Sequence, residues 1–203
     1  MTNTENKLYQ RALVLSFFTI FYNIAEGIVS MILGVKDETL SLFGFGADSF
    51  IEVMSGVGIT LMILRIRQNP DSSRSYFETR ALRITGIAFF LLSSGLLVSA
   101  VLNTIHHRRP ETTIGGIVIS LVSIIAMVWL LSSKRAVGKT LHSDPILADA
   151  NCTKVCVYMS FVLLASSLVY ELTGFAFADV IGAGFLIYFS INEGIESFKK
   201  AAF

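Results

Sequence analysis

Six stretches of the chain are apolar over the roughly 20 residues that a helix needs to cross the hydrocarbon core of a bilayer. They predict helices over 12–34, 40–66, 82–105, 112–132, 145–172 and 175–198. The runs are leucine-rich and lack the strict alternation of lipid-facing strands, so the pattern favours a helical bundle over a β-barrel. Connections are short. The longest, around residues 67–83, gathers Pro70, Asp71, Ser72 and Ser73, a turn-forming cluster. The first run follows Lys7 and Arg11 in the manner of a signal peptide, yet it extends from Ala12 to about Leu33. A signal-peptide core has roughly 7–15 residues, and no small-x-small cleavage site closes this run, so it is expected to stay as a membrane helix. Beyond the sixth run only ESFKKAAF remains, too short to fold alone. The expected architecture is an all-α membrane protein, a six-transmembrane-helix bundle forming a single domain over residues 1–203, with no soluble C-terminal domain.

Composition agrees with the pattern and adds orientation. Hydrophobic residues make up 53% of the chain, mean hydropathy is +0.67, and charged residues are 15%, against roughly a quarter in soluble domains. A formal net charge of +1 argues against a nucleic-acid partner. Two cysteines cannot build a disulfide framework. Place the N-terminus, the second and fourth connections and the C-terminus on one side of the membrane. That side then holds twelve of the sixteen Lys and Arg, from Lys7 and Arg11 through Arg65, Arg83 and Lys134 to Lys200. The other side holds Lys36, Arg108 and Arg109, and Lys154 lies inside the fifth helix. Both termini are therefore expected in the cytoplasm of a multi-pass protein of the cell's inner or plasma membrane.

Candidate chemistry lies in the ionisable residues at membrane depth, where each is costly and needs a partner or a purpose. Helix two carries Asp48 and Glu52, and helix five carries Cys152 and Cys156. Both pairs have i, i+4 spacing, which sets the two side chains about 40° apart on one helical face. The two helices run in opposite directions. If they are neighbours, two carboxylates and two sulfurs can converge near the midplane as four ligands. A mixed oxygen and sulfur set of four suits tetrahedral zinc or cadmium, whereas magnesium or calcium asks for about six or more oxygens. On a soluble helix an Asp/Glu pair would simply face water, but lipid cannot hydrate it. The cysteines alone are ambiguous, since free Cys is a common small apolar filler. A bridge between them is disfavoured by geometry, and C-x-x-x-C is not the C-x-x-C of thioredoxin-like redox sites.

Other polar positions draw more modest readings. Lys154 falls on the opposite side of helix five from the thiols, and is expected to pair with Glu26 or Asp149 or to reach toward the cytoplasmic surface. Asn23 and Glu26 on helix one suit packing hydrogen bonds or the lining of a vestibule, as a secondary part of the ion's path. Asp149 and Asp179 are expected to cap helices or line the entrance. His142 precedes helix five, where Asp144 and Pro145 suit a helix start, and is a lesser candidate for the path. His106 and His107, beside two arginines, read as a solvated basic turn. Gly44, Gly46, Gly56 and Gly58 fit a helix that packs closely against its neighbours or slides past them.

Several of these segments resemble those of the cation diffusion facilitator family. GADSFIEVMSG in helix two resembles the family's A-D-S-x-x-D element, and ILADANCTKVCVYMS in helix five resembles its A-L-x-A-D-A-x-H-x-x-S-D-V element. FADVIGAGFLIYFSINEGIESF in helix six is similar to the A-D-P-I segment with its closing E-S. The resemblance covers nearly the whole six-helix unit. It implies proton-coupled export of divalent transition metals by a homodimer, through alternating access to a site between helices two and five. Carried over by position, that site is Asp48 and Glu52 with Cys152 and Cys156. Glu52 stands where the family usually has Asp, and the two cysteines stand where it has His or Asp and then Asp. The cytoplasmic metal-binding domain that usually follows helix six is absent from this sequence.

The expected function is therefore transport rather than enzymatic chemistry, with zinc or cadmium as cargo, protons exchanged against it, and no permanently bound cofactor. Partners are the ion, the proton, the bilayer and a second copy of the chain. Efflux rather than uptake follows from the resemblance alone. A membrane thiol-redox or metal-sensing protein using Cys152 and Cys156 is the alternative from a different class, and a scaffold that keeps the fold without activity is a third.

Overall fold

The computed structural model describes residues 3–36, 40–68, 74–106, 114–173 and 178–202. Six helices account for nearly all of them: α1 (Asn3–Lys36), α2 (Leu40–Gln68), α3 (Arg74–His106), α4 (Ile114–Leu141), α5 (Asp144–Thr173) and α6 (Ala178–Lys200). Among the described residues there is no strand. Five helices are long and apolar enough to cross a membrane by themselves. The sixth, of 23 residues, spans about 34 Å at 1.5 Å per residue, sufficient for a hydrocarbon core of about 30 Å. The expected helical membrane bundle is what the chain forms. Asp71, His107, Arg108 and Arg109 lie outside the described residues, as do the side chains of His106 and Asp179.

Most helices outrun the apolar stretches that mark them. α1 begins at Asn3 instead of near residue 12, α3 at Arg74 instead of near 82, and α4 continues to Leu141 instead of stopping near 132. The hydrocarbon sets the length of the apolar run, not of the helix. The polar segment 3–11 contains neither glycine nor proline to break it. α4 ends at His142, whose φ of 48° is left-handed. There the Ser143 amide donates to the Gly138 carbonyl at 3.1 Å and the His142 amide to Lys139 at 3.3 Å, the paired bonds of a Schellman ending. α5 then starts at Asp144 and Pro145.

Packing puts α2 in contact with α1, α3 and α5, and α5 in contact with α4, α2, α3 and α6. The two helices carrying the candidate ligands are therefore neighbours. The molecule is turned inside out relative to a soluble bundle. Phe21, Ile32, Ile125 and Leu172 are exposed, while Ser16, Ser49, Ser55, Ser120, Ser123 and Ser160 are buried. Several interior hydroxyls donate to the carbonyl four residues earlier, as Ser16 does to Ala12. This satisfies them locally where no water reaches.

α1 and α2 approach closely at Gly27 and Gly46. A Cβ on Gly46 would lie 2.9 Å from the Gly27 carbonyl oxygen and 2.8 Å from the Met31 nitrogen. Both neighbours are backbone and cannot yield. Gly46→Ala is thus expected to destabilise the bundle by about 1–3 kcal/mol, read as a lowered melting temperature in detergent. Gly56→Ala, whose nearest neighbour would be the flexible Ile20 side chain at 3.2 Å, should be milder. Equal melting points for the two would contradict this packing.

Candidate metal centre

α2 presents Asp48 and Glu52 to the interior, 3% and 1% exposed, and α5 presents Cys152 and Cys156, 3% and 2% exposed. Both thiols are free. Cys156 faces both carboxylates, and Cys152 lies close enough to interact electrostatically with Asp48 and Glu52. Asp48 Oδ2 and Glu52 Oε2 are buried without a hydrogen-bond partner. Such orphaned carboxylate oxygens are expensive at membrane depth unless a proton or a cation satisfies them. No three His, Cys, Asp or Glu groups among the described residues stand as a closed metal-holding cluster in this conformation. The four expected ligands share one buried layer between α2 and α5 without forming a finished coordination shell.

Glu26 on α1 borders this layer. It accepts hydrogen bonds from Tyr22 Oη at 3.0 Å and Ser49 Oγ at 3.1 Å, and it is close enough to interact electrostatically with Asp48, Glu52 and Cys156. Asn23, fully buried, donates to the Thr19 carbonyl at 2.9 Å while its Oδ1 has no partner. Both serve packing on α1 and leave polar oxygens next to the candidate site.

Three sequence expectations change here. Asp149 neither caps a helix nor lines an entrance. It is 1% exposed, accepts from Ser55 Oγ at 2.7 Å, and forms an ion pair with Lys134 at 2.7 Å. Lys134 is correspondingly interior, although its sequence context placed it in a cytoplasmic connection. Lys154 pairs with neither Glu26 nor Asp149. Its ammonium lies 3.3 Å from Glu193 on α6 and 4.2 Å from the centre of the Phe189 ring, while Asn151 Nδ2 donates to the other Glu193 oxygen at 2.7 Å. His142 is exposed in the turn between α4 and α5, where it ends α4, and stands apart from the buried groups.

The sequence reading missed Lys134, Thr153, Ser55 and Glu193. For Lys134 a signal exists. The buried face of α4 runs through Gly116, Ser120, Ser123, Met127, Leu130, Lys134 and Val137, steps of four and three residues that follow one helical stripe. Lys134 is on that stripe and Arg135 is off it. The charge that looked like a membrane boundary continues the interior face.

Among the buried ionisable side chains of the described residues, four carboxyl groups (Glu26, Asp48, Glu52 and Asp149) accompany one ammonium, Lys134. Asp149 takes that ammonium. The other three carboxyl groups have no cation of their own among the described residues of the buried layer, which gives it an excess of acceptors for a positively charged guest.

The description of the cation efflux transmembrane domain matches residues 12–203. The chain belongs to the cation efflux family. This cation efflux domain is 28% identical over 163 residues to transmembrane protein 163 of Xenopus laevis, a match covering 80% of the chain and 57% of that protein. It is 25% identical over 188 residues to an uncharacterized transporter of Methanocaldococcus jannaschii, covering 91% of the chain and 65% of the relative. The cation-efflux pump FieF of Pectobacterium carotovorum is 24% identical over 180 residues, covering 80% and 56% respectively. The chain thus spans less than two thirds of the length of these curated relatives.

Proposed function

We propose that this cation efflux domain carries zinc or cadmium out of the cytoplasm in exchange for protons, using Asp48, Glu52, Cys152 and Cys156 as the ligands of its cargo. The observation that carries the reading is Cys156 set against both Asp48 and Glu52, each keeping one buried oxygen unpartnered. Two sulfurs and two oxygens favour soft or borderline divalent ions over manganese or magnesium. Metal ligands must be deprotonated, so loading the ion releases protons and protons arriving from the far side expel it. Alternating access between α2 and α5 converts that competition into antiport. Glu26 and Asn23 border the ion's path. The working unit is a homodimer with both termini cytoplasmic, the orientation favoured by the distribution of Lys and Arg. A thiol-exchange role is less well supported, because both cysteines are buried and exchange needs an accessible thiolate.

Alkylation tests the assignment of the thiols directly. With the purified chain in reducing detergent solution, N-ethylmaleimide labelling of Cys152 and Cys156 is expected to fall steeply when zinc or cadmium is added. At about ten times the dissociation constant, about a tenth of the sites remain free. Labelling that is indifferent to both ions would move the cargo site elsewhere and leave thiol chemistry as the better account of the pair.

A further inference from the structure

Glu52 is held from one side by a chain of polar side chains drawn from three helices. Thr153 Oγ1 donates to Glu52 Oε1 at 2.5 Å, and Lys134 Nζ donates to Thr153 Oγ1 at 2.9 Å. The same ammonium lies 2.7 Å from Asp149 Oδ2, and Asp149 Oδ1 accepts from Ser55 at 2.7 Å. Lys134, Asp149 and Thr153 are all buried, at 2%, 1% and 0% exposure.

The donor inventory fixes the direction of this chain. An ammonium has protons to give and no lone pair to receive with, whereas a hydroxyl has a single proton. Thr153 therefore accepts from Lys134 and spends its proton elsewhere. The alternative acceptor, the Asp149 backbone carbonyl, is at 3.4 Å, far longer than the contact to Glu52. Glu52 Oε1 is thus occupied, and Oε2 is left as the oxygen without a partner. Asp149 has a second effect. Glu52 also attracts Lys134 electrostatically, and an ammonium moved onto Glu52 would neutralise the very group meant to meet a cation. Pairing with Asp149 keeps the charge one hydroxyl away.

We propose that Lys134, anchored by Asp149, is a positioning residue that orients the Thr153 hydroxyl onto Glu52 Oε1, so that Glu52 meets its cargo through Oε2 alone. This rests on Glu52 being a cargo ligand. Partners that orient a metal ligand typically contribute about 10–100-fold to metal affinity. Asp149→Asn is expected to harm more than the loss of one ion pair, because it releases Lys134 toward Glu52. The combined Asp149→Asn and Lys134→Met exchange removes the competing charge with its partner.

The test uses the full chain in liposomes, with zinc and cadmium uptake measured as KM and kcat. Thr153→Val should raise KM by about 10–100-fold with kcat little changed, and Thr153→Ser should restore it. Asp149→Asn should raise KM at least as far, and adding Lys134→Met should bring it back down. Melting temperatures in detergent separate these effects from simple unfolding. For a variant that does not survive reconstitution, infrared difference spectra in detergent with and without cadmium give a second readout. The splitting of the carboxylate stretches should be that of one-oxygen ligation in the native chain and should shrink in Thr153→Val. Thr153→Val with native KM and native spectrum, or a double variant no better than Asp149→Asn, would overturn the inference. Glu52→Gln distinguishes the two levels. If it loses cargo binding while Thr153→Val does not, only the positioning role fails; if it transports normally, the assignment of Glu52 itself fails.

Discussion

Replacing Glu52 with Gln, or Asp48 with Asn, is expected to reduce zinc and cadmium transport by more than about a hundredfold each. The reference is the partner groups of a metal ligand, whose loss already costs about 10–100-fold in affinity; loss of the ligand's own charge must exceed it. Both substitutions keep shape and hydrogen-bonding capacity, so the fold should survive. In Glu52→Gln the amide oxygen would still accept from Thr153 as the carboxylate does. What changes is charge. The Lys134 ammonium is committed to Asp149, so Asp48, Glu52 and Glu26 supply the negative potential that a divalent ion needs in order to leave water. Removing one charge next to the ion in a low-dielectric interior is far costlier than removing one at a wet surface. The measurement is uptake into liposomes loaded with a metal-sensitive dye, driven by a pH gradient, alongside native mass spectrometry of ion binding. Near-native transport by either variant would remove that carboxylate from the cargo site. Loss of transport with intact binding would move its role from ligation to the conformational cycle.

How far the sequence reaches can be judged residue by residue. The six helices follow from the apolar runs because a bilayer demands about 20 apolar residues and permits only internally bonded backbone. Their ends do not follow, because the helix continues as far as local propensity allows, as α4 does to Leu141. Pairing Asp48 and Glu52 with the two thiols was legible, since lipid removes the usual explanation of an acidic i, i+4 pair and the two helices proved to be neighbours. Partners across other helices were not. Lys154 meets Glu193 rather than Glu26 or Asp149, and that choice depends on how α5 and α6 are rotated about their axes. Lys134 was hidden for a different reason. In SSKR it follows an apolar run and reads as the first cytoplasmic charge, although its position on the stripe Met127, Leu130, Lys134 gives it an interior address. A charge tally treats every lysine near a helix end alike, whereas helical phase separates those that face lipid headgroups from those that face the core.

The sulfurs should decide which ion is carried. Exchanging Cys152 and Cys156 together for Ser is expected to lower cadmium transport by about a hundredfold and zinc by less, with manganese unchanged or improved. The order follows ligand softness: thiolates favour cadmium and zinc, whereas hydroxyl and carboxylate oxygens suit manganese and magnesium. Serine is nearly isosteric with cysteine, and both positions are buried without a disulfide to lose, so packing should be preserved. Cys156 is the more consequential of the two, because it faces Asp48 and Glu52 at once. Cys156→Ser alone should therefore carry most of the effect on cadmium, and Cys156→Asp should move the preference further toward manganese by adding a hard anionic oxygen at the same place. Competition of cadmium and manganese against zinc uptake in the same liposomes reads the selectivity directly. If the double serine variant kept the native order of cadmium over manganese, the thiols would be interior filler, and selectivity would have to come from Asp48, Glu52 and the neighbouring Glu26.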